Sequence, residues 1–187
     1  GQNNIKLYFM CGLPTETEQD ILHIADIVNR AKQIYSKYNA KGGLKISVSC
    51  AVFIPKPFTP FQWEKMEERQ SIENKQKILG NLLKKLNVKY NYHDYNTSVI
   101  EAVFSRGDRR LCEVIEKAYK SGCMLDNWSE FFDYGKWQKA FEECGIDISY
   151  YLDEIEIERI LPWGFFDCGI KKEYLLNERE KAYKAAA

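Results

Sequence analysis

Residues 44–54, LKISVSCAVFI, constrain the fold more than any other stretch. Leu44, Ile46, Val48, Cys50, Val52 and Ile54 share one face at a spacing of two, while Lys45, Ser47, Ser49, Ala51 and Phe53 share the other. That is the side-chain period of a β-strand. The first face is bulky and the second mostly small. Such a strand, with helices on its large side chains and a cavity on its small ones, fits a parallel barrel or half-barrel better than an antiparallel meander. An earlier strand is expected over residues 5–11, where Ile5, Leu7, Phe9 and Cys11 alternate with Lys6, Tyr8 and Met10, and Gly12 ends the run.

A helix is expected between these strands. Thr15-Glu16-Thr17-Glu18 has the T-x-x-E form of a capping box, and its acidic groups suit the positive end of a helix. Ile21, Ile24, Ala25, Val28 and Tyr35 follow at helical spacing, Ile27, Ala31, Ile34 and Tyr38 widen the stripe, and Lys41-Gly42-Gly43 breaks it. After the second strand come a proline-rich loop, PKPFTPFQW from Pro55, a helix with Leu79, Leu82, Leu83 and Leu86 in line, and a third strand through Val88, Tyr90 and Tyr92. The order strand, helix, strand, helix, strand implies right-handed parallel crossovers. The expected class is α/β: half of a partial (β/α) barrel with parallel strands over residues 1–95, followed by an α-rich carboxy-terminal region over residues 96–187.

In that second region the texture changes to short helices and aromatic loops. Residues 97–104 are expected to be helical, with Gly107 as the stop and Asp108 as the N-cap of a helix carrying Leu111, Val114, Ile115 and Ala118. Another short helix is expected over about 134–144, with Trp137, Ala140 and Phe141 inward. The alternation of acid and isoleucine in residues 153–159 suits a short edge strand or a helix start equally.

Length and composition bound the function. A chain of 187 residues, 45% hydrophobic, can bury roughly 70% of its unfolded surface. No apolar run reaches the ~20 residues that cross a bilayer, and the amino end has no secretion leader, so a cytoplasmic protein with no membrane partner is expected. Residues 1–95 carry 14 Lys and Arg against 9 Asp and Glu, and residues 96–187 carry 13 against 18. Neither balance is the dense basic footprint of a phosphate-backbone binder, which makes nucleic acid a minority partner. The six cysteines contain no C-x-x-C pair, and His23 and His93 stand apart from them. Reduced thiols are expected, and no metal site drawn from this chain.

Several constellations could carry chemistry. EAVFSRGDRR places Glu101, Arg106, Asp108, Arg109 and Arg110 together, and three guanidiniums at a helix start could clamp a phosphate or carboxylate of a substrate. The alternative is that Asp108 caps while the arginines pair with local acids. CMLDNWSEFFDY surrounds Glu130 with Trp128, Phe131, Phe132 and Tyr134. It is either a pocket in which Glu130 acts as acid or base or, the favoured reading, the core of a small helical subdomain. His93-Asp94 could exchange a proton, but adjacent strand residues point to opposite faces, which favours a solvated strand end. The loop from Pro55 could roof a ligand at a strand's carboxyl end.

The stretches IKLYFMCGLPTETEQDI and VSCAVFIPKPFTPFQW, with TSVIEAVFSRGDRRLCEVIEKAYKSGCMLDNWSEFFDYGKWQKAFEECGID and LPWGFFDCGIKKEYLL, resemble the later part of radical S-adenosylmethionine (SAM) enzymes. The likeness is to the cobalamin-binding-domain radical SAM family and covers nearly all of the chain. In such enzymes a six-strand partial TIM barrel holds a 4Fe-4S cluster on three cysteines of a C-x-x-x-C-x-x-C loop. SAM binds the remaining iron and supports adenosyl-radical chemistry or, in cobalamin-dependent members, methyl transfer. The resemblance implies that the strand ending at Gly12 is the fifth of that barrel and the strand ending near Phe53 the sixth. Met10, Gly12 and Glu16 would then lie near the SAM adenine and ribose, with backbone at Phe53, Ile54 and Pro55 bordering the adenine. The family's fifth-strand pattern, G-x-I-x-G-x-x-E, is altered: Tyr8 replaces the first glycine, Met10 the isoleucine, and Glu16 comes one place late.

The cluster loop is missing, since no three cysteines have the required gaps. The expectation is therefore a fragment of a radical SAM oxidoreductase or transferase whose iron–sulfur ligands lie upstream, inactive alone and partnered by the upstream half of its own polypeptide. Exposed strand edges would let such a fragment self-associate. The competing expectation is a non-catalytic module that recruits RNA or a protein through Arg106, Arg109, Arg110 and exposed aromatics.

Overall fold

The computed structural model describes residues 3–38 and 43–186. They fall into two compact units, one from Gly1–Phe53 with Glu67–Tyr95, the other from Ile54–Met66 with Asn96–Ala187. In the first unit β1 (Asn4–Cys11), α1 (Glu18–Tyr38), β2 (Lys45–Val52), α2 (Arg69–Lys85) and β3 (Lys89–Tyr92) alternate. The strands form one parallel sheet in the order β1-β2-β3. Its register runs from Asn4↔Lys45 to Cys11↔Val52 and from Ser47↔Lys89 to Cys50↔Tyr92.

The two strand faces differ as their side-chain sizes require. Ile46, Val48, Cys50 and Val52 are buried, as are Ile21, Ile24, Ala25 and Val28 of α1 and Ile72, Leu79 and Leu83 of α2. The opposite face carries Ser47, Ser49 and Ala51, half-buried, and on β1 the exposed Tyr8 and Met10. The stripe on α1 is narrower than its sequence suggests, because Ile27, Ile34 and Tyr38 are exposed. Ile27 stands about 100° round the helix from Val28 and so leaves the core face. Of the expected helix stop, Lys41 and Gly42 lie outside the described residues.

The start of α1 also differs. Thr15 has φ 71°, in the left-handed region, and cannot serve as the N-cap. The box is displaced by two residues: the Thr17 amide and hydroxyl donate to Asp20 Oδ2 at 2.8 and 2.7 Å, and the Asp20 amide donates to the Thr17 carbonyl at 3.2 Å. Glu16 is thereby released for another partner.

The second unit is built from α3 (Tyr95–Ser105, its first residue counted with the first unit), α4 (Leu111–Lys120), α5 (Tyr134–Glu143), α6 (Ser149–Leu152) and α7 (Lys172–Ala186). Val99, Ala102, Val103, Val114, Ala118 and Phe141 are buried in it, and Phe104 meets Trp137 edge-on at 5.3 Å. A second cluster joins Trp63, Ile155, Trp163 and Leu175. The loop after β2 is anchored here: Trp163 Nε1–H donates to Gln62 at 2.7 Å, the Ile155 amide to the Trp63 carbonyl at 2.8 Å, and Arg179 and Tyr183 grip Glu64 at 2.5 and 2.8 Å. Residues 153–159 form neither strand nor helix. Trp128 and Phe131 are exposed, so the aromatic run before α5 is not the core of a subdomain.

Asp108 caps the turn that leads into α4, its carbonyl accepting from the Leu111 amide at 3.1 Å. Its carboxylate accepts from the Arg110 amide at 2.9 Å, and Arg110, just before α4, already has helical φ −61° and ψ −26°. Asp133 caps α5, accepting from the Lys136 amide at 3.3 Å.

Candidate functional site

β1 and β2 end level with one another. Cys11 pairs with Val52, and the next residue, Phe53, donates its amide to the Cys11 carbonyl at 2.7 Å. Beyond Cys11 the chain turns through Gly12 at φ 87°, where a Cβ would come within 2.7 Å of Ile72 Cδ1. Only glycine meets both demands without strain.

A buried ionic cluster holds this turn. The Gly12 amide donates to Glu16 Oε1 at 2.9 Å, and Lys75 Nζ donates to the same oxygen at 2.7 Å and to Glu67 Oε2 at 2.8 Å. The Ser71 hydroxyl donates to the other Glu67 oxygen, and the Tyr95 hydroxyl to the Glu67 carbonyl at 2.9 Å. The side chain of Glu16 is 6% exposed and that of Lys75 11%. Burial would lower the Lys75 pKa, but its hydrogen bonds to the two carboxylates outweigh it and hold the group above the ordinary lysine value. Two buried thiols stand near: a hydrogen bond with Cys50, with burial, pushes the Cys11 pKa up.

This arrangement separates the expected ligand-binding residues of the first unit. Met10 presents its side chain to the open face, beside Tyr8, over whose ring Lys6 Nζ lies at 4.9 Å. Gly12 and Phe53 are buried. Glu16 gives its Oε1 to Gly12 and Lys75, which makes it a brace for the strand–helix turn. In the second unit, the side chains of Ile54 and Pro55 are buried. Lys75 and Glu67, which complete the cluster, escaped the sequence reading. Their signal was Glu67, Ser71 and Lys75 at intervals of four, a polar row that starts just before α2 and runs into its first turns. His93 and Asp94 lie beyond β3, where the His93 amide donates to the Cys50 carbonyl at 3.4 Å and its carbonyl accepts from Gln76 at 3.0 Å.

The arginine-rich candidates in the second unit divide into three environments. Arg106 is 2% exposed; its Nη2 donates to the Asp153 carbonyl at 2.8 Å, and its Nε and Nη1 have no partner. Burial lowers its pKa to about 10. Arg110 and Asp108 satisfy each other at 2.6 Å, and that hydrogen bond draws the Asp108 pKa down. Arg110 also lies over Tyr150 at 4.7 Å. Arg109 is exposed. Glu130 is exposed in the loop between α4 and α5, beside the Ser129 hydroxyl at 3.5 Å.

Among the described residues no three His, Cys, Asp or Glu side chains gather as a metal ion requires, and no helix is long and apolar enough to cross a membrane. The six cysteines are free thiols. No family model matches the chain, and no solved structure matches it. It is similar to an uncharacterized protein of Methanocaldococcus jannaschii, 30% identical over 148 residues that make up 74% of this chain and 31% of that protein. The chain thus spans about a third of the length of the curated relative it matches.

Proposed function

We propose that the first unit is the later part of a radical SAM partial barrel and that the chain belongs to a radical SAM enzyme. The observation that carries this reading is the level pair of parallel strand ends, Cys11 beside Val52, with helices packed on the bulky face and small or exposed side chains on the other. Ligands of parallel α/β folds collect at the carboxyl ends of strands.

The residues fit a nucleoside in part. Met10 offers an exposed apolar side chain near the end of β1, two residues before the turn that Glu16 holds at the Gly12 amide. Of the two Glu16 carboxylate oxygens, Lys75 and the Gly12 amide occupy Oε1, which leaves Oε2 as the acceptor for a ribose hydroxyl. Its role in the proposal is to fix the loop on which the nucleoside rests. Cluster ligands are not found among the described residues, so the proposal assigns the 4Fe-4S cluster to sequence upstream, as it does the remaining strands of the barrel. Bound to such a cluster, SAM supplies radical or methyl-transfer chemistry, with cobalamin as a second cofactor in the methyl-transferring case. This chain's share is to seat and orient the nucleoside end.

Anaerobic reconstitution with iron and sulfide tests the reading. This chain alone is expected to stay colourless, and the full natural polypeptide to take up about four irons per chain. A full polypeptide that binds no iron contradicts the proposal. Tight, steeply salt-dependent RNA binding by this chain would favour the interaction module instead.

A further inference from the structure

The second unit contains a cavity of about 730 Å³ beside the end of α3 and the segment 159–166. Its wall has two chemistries. Ile160, Trp163, Phe165 and Phe166 supply apolar and aromatic surface, and Ile160 and Phe165 are 91% and 78% exposed, large values for such side chains. Arg109 and Arg159 supply cations. Among the described lining residues Asp108 is the sole acid, and Arg110 already holds both of its oxygens.

Arg106 adds a third positive charge behind that wall. Its chain neighbours Ser105 and Gly107 line the cavity, and Arg159 is near enough for like-charge repulsion to contribute to the lowered Arg106 pKa, after burial itself. A guanidinium carries five N–H donors and no acceptor, and two of the Arg106 nitrogens have no partner. The Asp153 charge offsets part of the cost of burying Arg106, while Arg159 adds to it, and two Arg106 nitrogens remain unpaired. An anion in the cavity would pair with Arg109 and Arg159, which line it. Arg159 is also pre-positioned, with its guanidinium over the Tyr150 ring at 4.8 Å, while Arg110 lies over the same ring.

We propose that this cavity binds a small organic anion, with a carboxylate or phosphate head on Arg109 and Arg159 in the field of Arg106, and a flat or aliphatic body against Trp163 and Phe166. The site stands apart from the radical SAM reading and holds whether or not that reading does. It adds Arg159 to the arginine group and leaves out Glu130.

Calorimetric titration with naphthyl phosphate, naphthoate, naphthol and inorganic phosphate tests it. At least one aryl anion is expected to bind about tenfold or more tighter than naphthol and than phosphate alone, with the better of the two identifying the head group. Arg109→Gln and Arg159→Gln, both at surface positions, are each expected to weaken that anion about tenfold and to leave naphthol binding and the melting curve unchanged. Equal affinity for naphthol and both aryl anions, anion binding insensitive to both substitutions, or no binding of either anion overturns the proposal.

Discussion

Lys75 in the first unit and Arg106 in the second are both buried cations, at 9% and 2% exposure, in opposite surroundings. Lys75 touches two carboxylates within 2.8 Å, one of which also holds the Gly12 amide. Arg106 touches one carbonyl and leaves two nitrogens unpaired. A charge removed from water is tolerated when its partners replace hydration. The Lys75 cluster meets that condition inside the protein, and it locks the loop at the strand ends. The Arg106 environment meets it only in part, with the Asp153 charge near but two nitrogens unpaired. Burial alone therefore does not distinguish the two cations; the count of satisfied atoms does.

The largest expected effect comes from breaking the complete cluster. Lys75→Met leaves the buried Glu16 carboxylate and the partly buried Glu67 carboxylate without their cation and should destabilise the first unit by about 3–5 kcal/mol, whereas Arg106→Met should change the second unit by about 1.5–3 kcal/mol at most, the value of one hydrogen bond from a charged group. Tryptophan emission reads the second unit selectively, since Trp63, Trp128, Trp137 and Trp163 all lie there. Amide exchange reads the first. Equal losses would break the comparison.

Next in size, Gly12→Ala forces a side chain into a left-handed turn against Ile72 and should cost about 2 kcal/mol, with exchange accelerating first at Gly12 and neighbouring amides. Combining Glu16→Gln, Glu67→Gln and Lys75→Met should recover much of what Lys75→Met loses, because no unpaired charge remains. Failure to recover would show that hydrogen-bond geometry rather than charge holds the cluster.

The pH dependences are smaller and opposite in sign. The Lys75 pKa is raised in the folded state, so its contribution is intact below the ordinary lysine value of about 10.4 and is lost as pH rises through the folded value. Lys75→Met should flatten that alkaline decline. Arg110's hydrogen bond lowers the Asp108 pKa, so this contribution is present above about 3.9 and is lost as pH falls through the folded value. Asp108→Asn should remove only a shallow acid slope. Denaturant melts across pH check both.

The sheet was legible because alternation in residues 5–11 and 44–54 is a local property, and both strands and their parallel connection follow from it. The start of α1 was misplaced by two residues because Thr15 and Thr17 offer the same hydroxyl, and only the left-handed backbone at Thr15 chooses between them. α7 carried no periodic signal: Leu175 is its one buried residue, and its Lys, Glu and Ala content speaks through helix propensity instead. For the sites, Glu16 and Arg106 stood out as residues, but their settings depend on Lys75 and Arg159, more than fifty positions away. No spacing rule spans that distance. The aromatics at Trp128 and Phe131 misled because hydrophobic residues do not all enter a core.

The central functional claim is that the level ends of β1 and β2 form the seat of a nucleoside. Amide chemical-shift mapping of this chain during titration with S-adenosylhomocysteine tests it most directly, since the method detects weak binding. The largest perturbations are expected at Met10, Gly12 and Phe53. Perturbations centred elsewhere, or none at saturating ligand, would contradict it.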